Sequence, residues 1–535
     1  MPAGAARADQ AAADIGQLQV DLPGPVVGCD PVTATVSPSA TQILSVVLPS
    51  ASATTAQGTL VQPDSVFVQA EVTNLNPLTI DYQIRKGAVW SDGEPVKLAD
   101  FVATWRRGSL GSGAAASEYR LVQSVSSGSS SLHVVVVMKT PTSDWHSLFS
   151  PLMAAGTNVV STRGCASPSA AADISAGPYV IAASGSDGTF LVRNPRWWGR
   201  KPAFSWIYAR STATAGIPAM TSNASNWLTE STAPTPEELA NLTASPTAES
   251  NVTFSNRLVS IDFAMNGRFT HNRKIRLALS HVIDRRALIS GTVAQVDPRI
   301  APGGSHLLAQ GQPGYSGPQP SPLGHVQSTT PTSEPSPGAP VTGTDLASNL
   351  LEGAGIKKSS SGWSSAKGST LTLLIATPSD DPWCVRVGAM VAAQYGAFGI
   401  PVKIVPVASS AESAALLRSG RIDAAILVRP TDAISGHSVS WFNVPPLGPV
   451  SQLWAGYRDR VVAALEIKAR AILNPVTAAP TYSLIDRRLW QTMPSLPLLV
   501  EPLVGAWSSS LKGVEINPYP PGTLAAIASW VPASG

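Results

Sequence analysis

The sequence contains little charge, few cysteines and no long apolar run. Charged residues make up only 13% of its 535 residues, and 37 basic against 34 acidic side chains give a net charge of +3. Because no block of like charge is present, nucleic acid is not expected as a partner. The longest purely apolar runs, such as Val134 to Met138, fall far short of the roughly 18 to 20 residues that a membrane-spanning helix needs.

The three cysteines are Cys29, Cys165 and Cys384. Their spacing matches no zinc or redox motif, so metal ligation by sulfur is not expected. The seven histidines are scattered and no acidic cluster has calcium-loop spacing, so we predict no metal and no cofactor. Two interpretations of Cys29 and Cys165 stay open: one disulfide between them, or two buried free thiols.

Catalytic motifs are also missing. The segment Gly111-Ser-Gly-Ala-Ala-Ala116 fits a relaxed dinucleotide pattern, but it follows a predicted helix instead of a strand. The segment Gly436-His-Ser-Val-Ser440 departs from a nucleophile elbow because Ser440 replaces the second glycine. We therefore predict that the protein is not an enzyme.

Two segments have compositions that disfavour a packed core. Residues 1–26 are alanine-rich without periodicity and are predicted to form a disordered leader. The first twenty residues show no secretory signal, so the protein is either cytoplasmic or has lost its signal by cleavage. Residues 305–345 are rich in Pro, Ser and Gly and are interpreted as a surface loop within a domain, with a linker between domains as the alternative.

The most regular region follows this segment. Apolar runs at Leu371 to Ala376, Val402 to Val407 and Ile422 to Val428 predict strands, and the segments between them predict helices. Strands and helices that alternate with short connections are typical of a parallel α/β sheet. Ligands of such sheets lie beyond the carboxyl ends of the strands, and Arg429-Pro-Thr-Asp432 follows such an end.

Three segments together carry a family resemblance. Arg85 to Trp105, which contains Trp-Ser-Asp-Gly-Glu-Pro, resembles the signature region of the family 5 extracellular solute-binding proteins, the dipeptide- and oligopeptide-binding components of ABC importers. Arg193 to Pro202, with Asn-Pro-Arg-Trp-Trp-Gly, and the helix of Asn272 to Leu288 are similar to two further family elements in the same order. In the first segment Lys97 replaces the usual Thr or Ser helix cap, so a weaker helix start is expected unless Asp100 compensates.

The resemblance implies an α/β fold of the two-lobed periplasmic-binding-protein type II (cluster C), with mixed sheets and hinge strands between the lobes. Lobe I would comprise residues 27–265 and 497–535, with an inserted subdomain at about 58–160. Lobe II would comprise residues 268–495. The hinge strands would lie near Val259 to Ala264 and Leu498 to Glu501, and the ligand would be enclosed when the lobes close.

The resemblance also implies a substrate-binding site at the end of Ile422 to Val428. In peptide-binding members an Asp at this point pairs with the α-ammonium of the peptide, and Asp432 occupies that position. Val428 and Arg429 stand where the family has Gly and Trp, and Pro430 removes an N–H that would bond a peptide backbone. The further candidate residues are Thr431, Trp441, Val36 and Ser37.

Other roles for this segment stay open. Arg429 to Asp432 can form an ordinary turn in which Asp432 bonds local amides, or a salt bridge within the segment. Arg429 can also bind a ligand carboxylate, and Trp441 and Phe442 can wall a side-chain pocket or belong to the core.

The implied function is the capture of short peptides outside the cytoplasm and their delivery to the permease and ATPase subunits of an ABC importer. The resemblance implies a monomer in the cell envelope that touches the membrane only through a lipid anchor. Two alternatives remain: a regulatory or scaffold lipoprotein with a degenerate cleft, and a receptor of the same fold for a non-peptide cargo such as haem.

Overall fold

The computed structural model describes residues 16–22, 26, 30–32, 36–111, 115–157, 174–185, 188–211, 227–317, 343–360, 362–442 and 456–533. The chain forms two compact units: unit 1 contains Met1–Thr140, His146–Asn251 and Val504–Gly535, and unit 2 contains Pro141–Trp145 and Val252–Leu503. Cys29 and Cys165 lie outside the described residues, whereas Cys384 is a buried free thiol.

The strands, in chain order, are β1 (Gly16–Leu22), β2 (Ala53–Thr54), β3 (Leu60–Val61), β4 (Phe67–Leu75), β5 (Leu78–Ile84), β6 (Val122–Ser127), β7 (His133–Met138), β8 (Tyr179–Gly185), β9 (Gly188–Arg193), β10 (Phe204–Ser211), β11 (Trp227–Ser231), β12 (Ala248–Phe263), β13 (Ile356–Ser359), β14 (Gly362–Ser365), β15 (Leu373–Pro378), β16 (Val402–Val407), β17 (Ala424–Pro430), β18 (Ser495–Ser508), β19 (Leu511–Lys512) and β20 (Val531–Pro532). The α-helices are α1 (Pro38–Ser45), α2 (Leu98–Leu110), α3 (Ala116–Leu121), α4 (Pro236–Ala244), α5 (Arg273–Val282), α6 (Arg285–Ser290), α7 (Gly343–Glu352), α8 (Pro382–Ala397), α9 (Ser410–Ser419), α10 (Ser435–Val439), α11 (Arg460–Arg470) and α12 (Pro475–Thr492).

Unit 1 contains a mixed sheet and a smaller antiparallel sheet. Its part of the mixed sheet has the order β18-β11-β1-β10-β9-β8, and the smaller sheet has the order β4-β5-β7-β6. The smaller sheet lies in the stretch that was predicted as an inserted subdomain at about 58–160.

The prediction of a disordered leader over residues 1–26 is wrong for β1, which pairs in parallel with β10 and β11. Leu18, Val20 and Leu22 alternate along β1 and are buried, and this period of two is what fits the segment to a sheet.

The signature segment at Arg85 to Trp105 acts as scaffold in unit 1. Lys97 makes no side-chain cap to α2, but the Asp100 carboxylate compensates by accepting from the Lys97 backbone N at 2.9 Å and from Trp90 Nε1 at 3.1 Å. Its other oxygen accepts from Ala155 N at 2.7 Å. One buried carboxylate thus fixes both the start of α2 and a neighbouring loop.

The second family segment packs against the first. The guanidinium carbon of Arg85 lies 3.9 Å from the ring centroid of Trp198, and Arg196 Nε donates to the Ser91 carbonyl at 3.2 Å. Through these contacts each segment stabilises the position of the other.

Unit 2 contains the parallel α/β region that the sequence predicted. Its part of the mixed sheet has the order β16-β15-β17-β12-β18, and β15 pairs in parallel with both β16 and β17. Helix α8 connects β15 to β16, and its Gly388 faces Ile426. Helix α9 connects β16 to β17, and its Leu417 packs with Ala425 and Leu427. Because neighbouring strand residues point to opposite faces, the two helices cover opposite faces of the sheet.

The segment predicted as a surface loop at 305–345 is packed in its first part. His306 is fully buried, and its N and Nδ1 bond an Asp486 carboxylate oxygen at 2.7 and 3.0 Å. Leu307 belongs to a core cluster with Phe442 and Leu489. The prediction is therefore wrong for this part, because specific polar partners and one buried leucine outweigh the loop-like composition. Residues 318–342 lie outside the description.

The predicted hinge strands fall within β12 and β18. Both strands pass from one unit into the other, β12 between residues 251 and 252 and β18 between residues 503 and 504. The predicted lobe boundaries at 265 and 497 lie near the ends of these strands. The structure also assigns residues 141–145 to unit 2, which no sequence pattern indicated.

We expect Asp100→Ala to lower the free energy of unfolding of unit 1 by about 3 kcal/mol, because three hydrogen bonds to a buried carboxylate are lost. Asp92→Ala is the matched control, since the exposed Asp92 accepts only a local bond from Glu94 N at 2.9 Å. Urea denaturation followed by circular dichroism measures both variants. If the two substitutions lowered the free energy of unfolding equally, the stabilising role of the Asp100 carboxylate would be contradicted.

Candidate functional site

The candidate site lies where the parallel strands of unit 2 end. β15 ends at Pro378 and β17 ends at Pro430, and the two strands are neighbours in the sheet. From β15 the chain crosses to β16 on one side, and from β16 it returns to β17 on the other side. Such a switch in the direction of the connections opens a crevice at the carboxyl ends of the strands, where ligands of α/β sheets bind. We call this place the carboxyl edge of unit 2.

Asp432 lies two residues beyond the end of β17. One carboxylate oxygen accepts from Ile434 N at 3.0 Å, and the other lies 2.8 Å from His437 Nδ1. The Asp432 backbone N donates to Ser438 Oγ at 3.1 Å. The segment therefore forms the local turn that the sequence left open as one alternative. The carboxylate is nevertheless 33% exposed, so part of it faces solvent.

The surroundings of Asp432 favour its charged form. Burial works to raise the pKa of Asp432, but the His437 imidazole and the backbone N–H groups outweigh it and hold the pKa below its ordinary value. The group is therefore a carboxylate at neutral pH, and its exposed part can attract a cation.

Arg429, by contrast, points into the interior of unit 2 and is only 2% exposed. Its Nε donates to Ser260 Oγ at 3.2 Å and its Nη2 to Ser495 Oγ at 3.0 Å, while Asp262 lies 3.8 Å away and Phe442 lies under the guanidinium at 4.6 Å. Burial lowers the pKa of Arg429, against the attraction of Asp262. The ion-pair partner of Arg429 is thus Asp262, and Phe442 belongs to the core.

The other candidate residues differ in their accessibility. Val428 and Thr431 are buried, and Thr431 bonds the Asn256 carbonyl through both its N and its Oγ1, at 2.8 and 3.0 Å. Trp441 is half-buried, and its Nε1 donates to the Pro430 carbonyl at 3.3 Å. The structure therefore brings Trp441 to the strand end that precedes Asp432.

Val36 and Ser37 belong to unit 1. Both are half-buried, and Ser37 is the N-cap of α1, where its Oγ accepts from Ala40 N at 3.2 Å. A cap role alone accounts for this serine, and its predicted contact with a ligand stays a prediction.

Three charged residues at the carboxyl edge were not predicted from the sequence. Arg257 on β12 lies opposite Pro430 in the ladder with β17. Its Nε donates to Glu501 on β18 at 2.5 Å and its Nη2 to Asp381, the N-cap of α8, at 2.7 Å. Burial raises the pKa of Glu501 to about 7, although Arg257 opposes this effect. A signal was present for Glu501, because it is the one charged residue in the largely apolar strand β18. No such signal marked Arg257, because β12 also contains Glu249, Asp262 and several uncharged polar residues.

No group of His, Cys, Asp and Glu that could hold a metal ion occurs in the described part of the chain. None of the described helices is both long and apolar enough to span a membrane.

We expect Arg429→Met to lower the free energy of unfolding by about 3 to 5 kcal/mol, because it leaves Asp262 buried without its cation. The double variant Arg429→Met/Asp262→Asn should recover at least half of this loss. Thermal and urea unfolding of the cargo-free protein measure both. An unchanged free energy of unfolding in Arg429→Met would contradict the structural role of Arg429 and make it a candidate cargo contact again.

Known proteins resemble this chain in sequence and in fold. A relative from Mycobacterium tuberculosis, the probable monoacyl phosphatidylinositol tetramannoside-binding protein LpqW, is 24% identical over 96% of this chain and 91% of its own length. The solved structure of the periplasmic EDTA-binding protein EppA superposes with a TM-score of 0.83 at 18% identity, covering 98% of each chain. The oligopeptide-binding protein AppA from Bacillus subtilis, solved in complex with a nonapeptide, gives a TM-score of 0.73 at 16% identity and covers 98% of this chain and 100% of its own.

These structural similarities confirm the predicted α/β fold class of the solute-binding proteins. The family model for bacterial extracellular solute-binding proteins, family 5 Middle, matches residues 68–446. The match covers most of the chain and includes all three family segments and Asp432. The chain therefore belongs to family 5 of the bacterial extracellular solute-binding proteins.

Proposed function

We propose that this protein captures short peptides by closure of its lobes and delivers them to an ABC importer. The observation that carries the proposal is the Asp432 carboxylate, which is charged, one-third exposed and placed just beyond the end of β17. The similarity to AppA, which was solved with a nonapeptide, supports a peptide cargo.

The α-ammonium of a peptide is a suitable partner for this carboxylate. A hydrogen bond to a charged group contributes about 1.5 to 3 kcal/mol, and more when water is excluded from the site. Asp432 would then bind the amino terminus of the cargo, as the resemblance implied.

The backbone around Asp432 offers few further contacts for a peptide strand. Pro430 has no N–H, and the N–H of Thr431 is already bonded to Asn256. Addition of the peptide as an extra strand at this point is therefore weak. The terminal charge and side-chain contacts, with Trp441 among them, would supply the affinity and would tolerate varied peptide sequences.

The partners follow from this role. We propose that the protein works as a monomer in the cell envelope, held there by a lipid anchor, and that it meets the permease and ATPase subunits of its importer there. Its cargo-bound and empty forms would differ in lobe closure.

A second candidate function is suggested by the bonds that Asp432 already makes. A carboxylate that is paired with His437 needs an external cation less than an unpaired one. EppA and LpqW are named for EDTA and for a glycolipid, so a receptor for a non-peptide cargo is the alternative, together with a regulatory lipoprotein whose cleft is degenerate.

The purified protein should carry its cargo. Native mass spectrometry, followed by denaturation and identification of what is released, is expected to show a heterogeneous set of short peptides. A single non-peptide mass would support the alternative receptor. Empty protein that shows no thermal shift with a peptide mixture would support the regulatory role.

Asp432→Asn should weaken the binding of a released peptide by about 1 to 3 kcal/mol, and an N-acetylated copy of the peptide should bind the wild-type protein equally weakly. The control is Asp284→Asn, because Asp284 is also a local cap whose carboxylate accepts two backbone N–H groups, those of Arg286 and Ala287. Isothermal titration calorimetry measures all three. Unaltered affinity in Asp432→Asn would remove Asp432 from the site.

A further inference from the structure

Arg257 is held in place by carboxylates on two different elements. Its Nε bonds Glu501 of β18 and its Nη2 bonds Asp381, which follows β15. The Arg257 backbone lies opposite Pro430, the last residue of β17. The side chain therefore bridges the region where β15 and β17 end, at the carboxyl edge of unit 2.

One nitrogen of the Arg257 guanidinium is available to donate a hydrogen bond to a ligand. Among the residues that the structure describes, Nε and Nη2 have partners and Nη1 has no hydrogen-bond partner. The side chain is 33% exposed, although its two partners are largely buried. A fixed donor that is open to solvent in the crevice where α/β sheets bind ligands is suited to contact a ligand.

The charge around Arg257 decides which ligand group it can accept. Asp381 and Glu501 together compensate its positive charge, and the exposed Asp380 adds a further carboxylate next to Asp381. Even with Glu501 protonated, the group of four side chains carries no net positive charge. An anion gains little from such a donor, whereas a neutral oxygen acceptor gains a hydrogen bond without charge repulsion.

We propose that Arg257 is a cargo-binding residue, whose Nη1 donates a hydrogen bond to an uncharged acceptor oxygen such as a peptide carbonyl. This inference rests on the proposed function and extends that function by naming the chemical class of the cargo. The cargo combines a cationic group for Asp432 with carbonyl oxygens for Arg257, and anionic chelates are excluded by the carboxylates beside it.

This role compensates for a feature of the sequence. Pro430 cannot donate a backbone hydrogen bond to a peptide, and Arg257, its neighbour across the ladder, supplies a side-chain donor in the same region. The specificity of the site then depends on the Arg257 side chain instead of backbone hydrogen bonds from the edge of a strand.

The test compares the variants Glu501→Gln and Arg257→Met/Glu501→Gln. The single variant keeps the Nη1 donor, while the double variant removes it without leaving a charged Glu501 buried and unpaired. Isothermal titration calorimetry with an alanine-rich pentapeptide is expected to show an affinity within about threefold of wild type for Glu501→Gln and a loss of about tenfold for the double variant. Thermal unfolding of both variants establishes that they fold.

Each outcome decides one question. Equal affinities of the two variants for the pentapeptide would overturn the role of Arg257 while the proposed function stands. A wild-type protein that binds no peptide would overturn the proposed function and this inference with it. Fe(III)-EDTA should give no heat of binding with the wild-type protein, and a measurable affinity for it would overturn the exclusion of anionic chelates.

Discussion

The candidate site depends on the parallel pairing of β15 with β17. Because the two strands run side by side in the same direction, the loops that leave them begin at the same edge of the sheet. Asp381 follows one strand and Asp432 follows the other, and β12 brings Arg257 to the same edge. Backbone pairing thus brings strand ends that are far apart in sequence to one edge of the sheet.

Burial then separates the roles of two arginines. Arg429 is enclosed between Asp262, two serines and Phe442, so its charge serves the interior of unit 2. Arg257 is held by two carboxylates but remains partly exposed. The same chemical group therefore stabilises the fold in one place and presents a donor in the other. The difference arises from the depth of burial, because a buried guanidinium needs an oppositely charged partner inside the protein.

Much of the fold could be predicted from the sequence, since the alternating strands and helices between Leu371 and Val428 follow simple periodicities. The sequence also pointed to Asp100 as a residue that could compensate for Lys97, because both residues lie in one turn, and the structure shows that it does. β1 was missed because its short alternation lies in an alanine-rich context. The buried start of the 305–345 segment was missed because His306 depends on Asp486, a partner 180 residues away.

The site was less predictable than the fold. The family resemblance indicated Asp432 as a candidate, but its pairing with His437 depends on how a short turn folds back on itself. Arg257, Asp381 and Glu501 come from three elements whose proximity only the sheet order establishes. The isolated charge of Glu501 in the apolar strand β18 could have pointed to that residue. Arg257 lies among other charged and polar residues of β12, so the sequence did not distinguish it.

The most direct test of the central claim is a crystal structure of the protein with its copurified cargo. We expect the cargo to lie at the carboxyl edge of unit 2, with a cationic group within hydrogen-bond distance of the Asp432 carboxylate and an uncharged oxygen within hydrogen-bond distance of Arg257 Nη1. A bound cargo that contacts neither side chain would contradict this expectation.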